Sequence, residues 1–183
     1  MTLKTTRLAL SLTICLFLSA FSLSAQQVPE ATQHLTPLIG TWSMKQTNMT
    51  PQGNWVDVPG KPTWTFEWGL GGHALYDYWE SKYLDKASND SLPSYGINVR
   101  IYDPKAEKWN VAWTETISRS FANFEGTSTP EEFKMEGKNV SGRYVKIRFY
   151  DFEPNSFKWE QAWSFDGEKT WVVIARMTGT RIH

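Results

Sequence analysis

Beyond residue 40, large rings recur at every second position: Trp64, Phe66 and Trp68; Trp109 and Trp113 around Val111; Phe157, Trp159, Trp163 and Phe165. Successive side chains of a β-strand point to opposite faces, so period two gathers each of these sets on one face of a strand. A helix would scatter them around its axis. Further strands are expected at residues 41–47, 55–58, 74–83, 96–102, 120–125, 132–135, 144–150 and 171–177, which makes about ten or eleven short strands and no long helix.

The connectors are short. Pro51-Gln52-Gly53-Asn54, Asp103-Pro104-Lys105 and Asp166-Gly167-Glu168 supply turn chemistry between neighbouring runs, so consecutive strands are expected to pair as hairpins. Gly69, Gly71 and Gly72 mark a bend or a bulge. One antiparallel sheet of this length has two open hydrogen-bonding edges, and closing it on itself removes them. The expectation is therefore all-β: a single closed antiparallel up-and-down barrel of about 8–10 strands. A short helical segment at residues 29–39, made irregular by Pro37, should plug one end. On the strand at 144–150, Val145, Ile147 and Phe149 are expected to face inward.

Residues 1–25 read as a signal peptide, because Lys4 and Arg7 precede an apolar run from Leu8 to Leu18 that passes into small residues before Ala25. The run is broken by Ser11 and Thr13 and falls short of the roughly 20 residues that span a bilayer, so stable membrane insertion is not expected after cleavage. Residues 26–183 then form one domain, secreted or periplasmic. The single cysteine, Cys15, would leave with the leader, which excludes disulfides, thiol catalysis and thiolate-bound zinc from the mature chain. Nineteen basic side chains against nineteen acidic ones argue against a nucleic-acid partner.

The stretch from Ser164 to Trp171 resembles an Asp-box, a hairpin turn repeated in many β-propellers, with Glu168 where that pattern has glycine. A single copy and no repeat of about 40–50 residues exclude a propeller and leave a structural turn. Gly40-Thr41-Trp42, after a helical segment and before a strand, resembles the lipocalins and the wider group of lipocalin-like bacterial barrels. The later order of Tyr102-Asp103-Pro104, Trp109, Trp113, the run from Ser156 to Glu160, the Asp166 turn, Met177 and Arg181 is similar to a group of secreted, lipocalin-like bacterial proteins over about residues 35–182. That resemblance implies a calycin-type barrel and carries no settled activity. It also implies that Trp42 closes the barrel floor under a basic residue of the last strand, for which Arg176 and Arg181 are the candidates. Some lipocalin-like barrels bind haem through a histidine near the C-terminus. His183, the last residue, is a poor anchor, and no cofactor is expected.

No Gly-x-Ser-x-Gly elbow, phosphate loop or dinucleotide fingerprint is present, and no two histidines have metal-ligand spacing. The residues left to carry chemistry are His73, Asp77, Trp79, Arg100, Trp113, Glu115, Gln161 and Trp163, with Arg148 a second basic candidate. Asp77 precedes Trp79 by two, Glu115 follows Trp113 by two, and Gln161 lies between Trp159 and Trp163, so each polar group shares a face with rings. If those faces point inward, each polar group needs a partner, and a ligand is one way to supply it.

Three functions fit. The first is binding of a small, partly apolar ligand in the barrel cavity, with the rings as contact area and Asp77, Arg100, Glu115 and Gln161 as orienting groups. The second is a cofactor-free acid–base enzyme of isomerase, cyclase or lyase type in the same cavity, using His73, Asp77 or Glu115. The third is a carbohydrate-binding module whose exposed Trp rings stack on sugars. Tryptophans on the outside of a filled barrel would favour sugar binding, an open cavity with a polar bottom a ligand or catalysis, and a buried pair of His73 with a carboxylate catalysis. The oligomeric state does not follow from the sequence.

Overall fold

The computed structural model describes residues 28–84, 88 and 90–182; the leader-like segment with Cys15, and His183, lie outside them. A 3-10 helix, Glu30–Leu38, precedes eleven strands: β1 (Gly40–Met49), β2 (Trp55–Asp57), β3 (Thr63–Gly69), β4 (Ala74–Leu84), β5 (Ser91–Asp103), β6 (Lys108–Glu115), β7 (Phe121–Ser128), β8 (Glu132–Lys138), β9 (Tyr144–Glu153), β10 (Ser156–Trp163) and β11 (Val172–Arg181). From β3 onward each strand pairs antiparallel with the next, and β11 returns to β1 with Trp42 opposite Arg181. One side of β1 is shared, residues 40–43 against β3 and residues 47–49 against β2. The ring thus has ten members, and β2 is a short continuation of one of them.

Two local expectations are corrected. Gly69, Gly71 and Gly72 frame the tight 3-10 turn Leu70–Gly72 between β3 and β4, while the register shifts fall on β10, between Gln161 and Ala162 and between Ser156 and Lys158. β5 begins at Ser91, ahead of the expected Gly96, and runs through Pro93. Pro93 pairs with Lys82 of β4, and β6 stops opposite Gly96, so proline stands where the strand has one neighbour only and its missing N–H is tolerated.

The helix, the turn at 69–73 and the hairpins at 103–108, 128–132 and 153–156 gather at one end of the barrel, the floor. The loops at 49–55, 115–121, 138–144 and 163–172 surround the other end, the mouth. Leu35 and Leu38 of the helix are fully buried and join Trp42, Phe66, Trp109, Phe133, Phe149 and Phe157 in the core. Burial of each such side chain contributes roughly 1.5–3 kcal/mol. As expected, Val145, Ile147 and Phe149 face inward.

The floor is also hydrogen-bonded shut. Trp42 Nε1 donates to Leu38 O at 2.7 Å, and Trp109 Nε1 donates to Ser128 Oγ at 3.0 Å. The Arg181 guanidinium lies 4.1 Å from the Trp42 ring centre and donates to the carbonyls of Ile39, Pro37 and Pro154. Those carbonyls are left free by the irregular helix and the adjoining hairpin, and a planar fork of five donors can reach all three. Gly40 is required here. Its φ is +121°, and a Cβ would stand 2.5 Å from Arg181 Nη1. Arg176, the other basic candidate, covers Trp55 instead, at 4.4 Å.

Candidate functional site

β5 reverses the usual polarity of a barrel strand. Ser94, Asn98 and Arg100 are buried, whereas Ile101 is 40% exposed. Register with β4 dictates this, since directly paired residues share a face: Leu75, Asp77 and Trp79 face inward and stand opposite Arg100, Asn98 and Gly96. Gly96 leaves room for the Trp113 ring, which a Cβ would meet at 2.1 Å.

These strands place an ion pair in the middle of the barrel. Asp77 and Arg100 are both fully buried, and Arg100 Nη1 donates to Asp77 Oδ2. Asp77 Oδ1 accepts from Trp64 Nε1 at 2.7 Å and from Asn98 Nδ2 at 2.9 Å. The guanidinium lies 5.4–5.9 Å from the ring centres of Phe149, Phe133 and Phe66. Such a pair is costly to desolvate: neighbouring donors satisfy the Asp77 carboxylate, whereas Arg100 Nε and Nη2 have no hydrogen-bond partner and the guanidinium is otherwise met by π-faces.

Toward the mouth, above this layer, the described residues leave the barrel open. A cavity of about 440 Å³ is lined by inward side chains from all ten ring strands, from Gln46 on β1 and Trp64 on β3 round to Gln161 on β10 and Met177 on β11. Larger depressions run over the outer strand faces and the rim, where Ile101, Lys108, Arg148 or Phe165 line them. Of these spaces, formed by the described residues, the 440 Å³ one is the barrel lumen. Its walls are Trp64, Trp79, Trp113 and Trp159 with Phe124, Met135 and Ile147, and Asn98, Ser94, Ser81 and Gln161 interrupt them. The volume falls in the range of roughly 300–1,000 Å³ typical of small-molecule pockets.

Of the residues singled out in the sequence, Trp79, Trp113, Glu115 and Gln161 line the cavity. Asp77 and Arg100 form the buried pair directly beneath it. Glu115 has a local duty as well: its two carboxylate oxygens accept the backbone N–H groups of Ile117 and Ser118 at 2.6 and 2.7 Å, which holds the loop after β6. Trp163 lies at the rim, where Arg143 stands 4.7 Å from its ring. His73 caps the floor turn before β4, at the opposite end from the cavity. Arg148 points outward to Glu132 and Glu160. The acid–base set considered for catalysis is therefore not brought together.

The contributors missed by sequence reasoning include the polar groups of Asn98, Ser94, Ser81 and Ser118. For Asn98 the signal was the two-residue spacing from Arg100, which puts both on one face. Among the described residues, Asn98 Oδ1, Trp159 Nε1 and Ser118 Oγ are buried polar atoms of this cavity lining without a hydrogen-bond partner. No three His, Asp or Glu side chains among the described residues converge as a metal centre would require.

No protein-family model matches the sequence, and no curated protein matches it. Solved structures match in fold. The chain is similar to Rv2717c from M. tuberculosis, with 13% identity and a TM-score of 0.59, over 86% of this chain and 100% of that one. It is also similar to the S-type phycobiliprotein lyase CPES from Guillardia theta, with 10% identity and a TM-score of 0.55, over 82% of this chain and 92% of that one. At these identities the likeness establishes a calycin-like β-barrel.

Proposed function

We propose that this protein binds a small, partly apolar ligand inside the mouth half of its barrel, in the periplasm or outside the cell, as a relative of the secreted lipocalin-like bacterial proteins. The observation that carries this reading is the pairing of a 440 Å³ lumen walled by four indoles with buried polar atoms in its lining that lack a protein partner. A polar atom removed from water without a partner costs about 1–3 kcal/mol, which a ligand that supplies the partner recovers on binding. The extracytoplasmic setting rests on the leader-like residues 1–25.

Sugar stacking on exposed indoles has less support. None of the ten tryptophans is among the large hydrophobics exposed at the surface, and Trp55 and Trp171 are covered by Arg176 and Lys146. Native mass spectrometry of the protein purified from its own envelope tests the proposal, beside a thermal-shift screen of small aromatic and alicyclic compounds. A non-covalent mass lost on denaturation, or a saturable rise in melting temperature that Trp113→Ala abolishes, is expected. Stabilising compounds that act equally on Trp113→Ala would place binding elsewhere and overturn it.

A further inference from the structure

The polar atoms of the lumen specify more than a ligand of the right size. Asn98 is 3% exposed, and its amide orientation is fixed by its partner: Asp77 Oδ1 can only accept, so the Nδ2 end must face it. Oδ1 is therefore an acceptor, without a protein partner. Trp159, 6% exposed, has an indole N–H that can only donate and is likewise unpartnered. Both residues line the deep part of the cavity. A complementary ligand brings a donor to Asn98 and an acceptor to Trp159.

Charge is the second constraint. Asp77 and Arg100 neutralise each other beneath the cavity, and Arg100, whose Nε and Nη2 lack hydrogen-bond partners, is outside the cavity lining; Glu115 is committed to two backbone N–H groups, and Lys82 lies on an exposed part of the rim. The deep lumen thus offers no free countercharge, and a buried ion without one is strongly disfavoured. The indoles of Trp64, Trp79, Trp113 and Trp159 favour flat rings.

We infer that the lumen selects an uncharged, planar ring compound bearing both a hydrogen-bond donor and a hydrogen-bond acceptor, such as a phenol or a lactam, and discriminates against its anionic analogues. This inference rests on the lumen being the ligand site, as proposed above.

A matched series separates the two. Calorimetric titration of the full mature chain would compare 2-naphthol (donor and acceptor), 2-methoxynaphthalene (acceptor only), 2-methylnaphthalene (neither) and 2-naphthoate (anion). Affinity is expected to fall in steps of roughly threefold to tenfold through the three neutral probes, the worth of one hydrogen bond each. Naphthoate should bind at least about tenfold more weakly than naphthol. Asn98→Ala should abolish the first step and Trp159→Phe the second. Because Asn98 also supports Asp77, the Trp159→Phe result keeps the test valid if Asn98→Ala fails to fold. Equal binding of the neutral probes, or preference for naphthoate, would overturn the selectivity and leave the ligand site standing. Failure of all four probes to bind up to their solubility limits would overturn both.

Discussion

The two ends of the barrel share the same strands and the same aromatic alternation, yet they treat an indole N–H in opposite ways. At the floor, Trp42 and Trp109 each donate to a partner supplied by the helix or the end of β7. Nearer the mouth, Trp159 faces a comparable interior and has none. What separates the two ends is the 3-10 helix, whose free carbonyls and leucines fill one opening, while no segment among the described residues fills the other. One stripe of tryptophans thus serves as packing below and as lining above, and the boundary between the two is the layer of Asp77, Asn98 and Arg100.

That boundary is where a single change should do most. Asp77→Ala would leave the Arg100 guanidinium buried among three rings without its countercharge, and a loss of about 3–5 kcal/mol is expected from denaturant unfolding. A cost below about 1 kcal/mol would mean that water reaches the pair and that the dry boundary does not exist. Next in size is one substitution made at both ends. Trp42→Phe removes a satisfied hydrogen bond and part of a fully buried ring, at about 2–4 kcal/mol. Trp159→Phe trims a ring that is also buried but deletes an unpartnered donor, so it should cost about 1 kcal/mol less than Trp42→Phe. Equal losses would erase the contrast.

Gly96→Ala sharpens the mouth alone. A Cβ there collides with the Trp113 ring, which must swing into the lumen. Stability should fall by about 1–2 kcal/mol while binding of any lumen ligand falls about tenfold or more, read by calorimetry. The smallest effect lies outside the barrel. Lys134 and Arg148 donate to Glu132 and hold its carboxyl below the ordinary carboxylate range. Its contribution to stability is therefore present above the unfolded-state pKa and is lost as pH falls through the lower folded-state value. Glu132→Gln should flatten the acid limb of a melting-temperature profile slightly, with no change in lumen binding.

The barrel was legible because alternation and turn chemistry are local signals. Trp64, Phe66 and Trp68 declare a strand by themselves, and Pro51-Gln52-Gly53-Asn54 declares the turn that joins β1 to β2. The site was legible only in part, since it depends on which parity of each strand faces inward. On β5 the isoleucines and valine suggest one answer, and pairing with Asp77 and Trp79 on β4 enforces the other. Asn98 was hidden for that reason. Glu115 shows the reverse difficulty: it lines the cavity with Trp113, but its two contacts to the following loop come from a tight turn that spacing alone does not reveal.

The meeting of Trp42 with Arg181 also bears on when the barrel can exist. Every other pairing in the ring joins neighbours in sequence or nearly so, whereas this one links the first strand to the last across almost the whole domain. A chain emerging from its N-terminus can zip hairpin after hairpin, yet it remains an open sheet with two sticky edges until β11 arrives. Closure is therefore tied to completion of synthesis. A chain interrupted before Val172 would have no β11 to seal β1 and would be exposed to edge-to-edge aggregation throughout its lifetime.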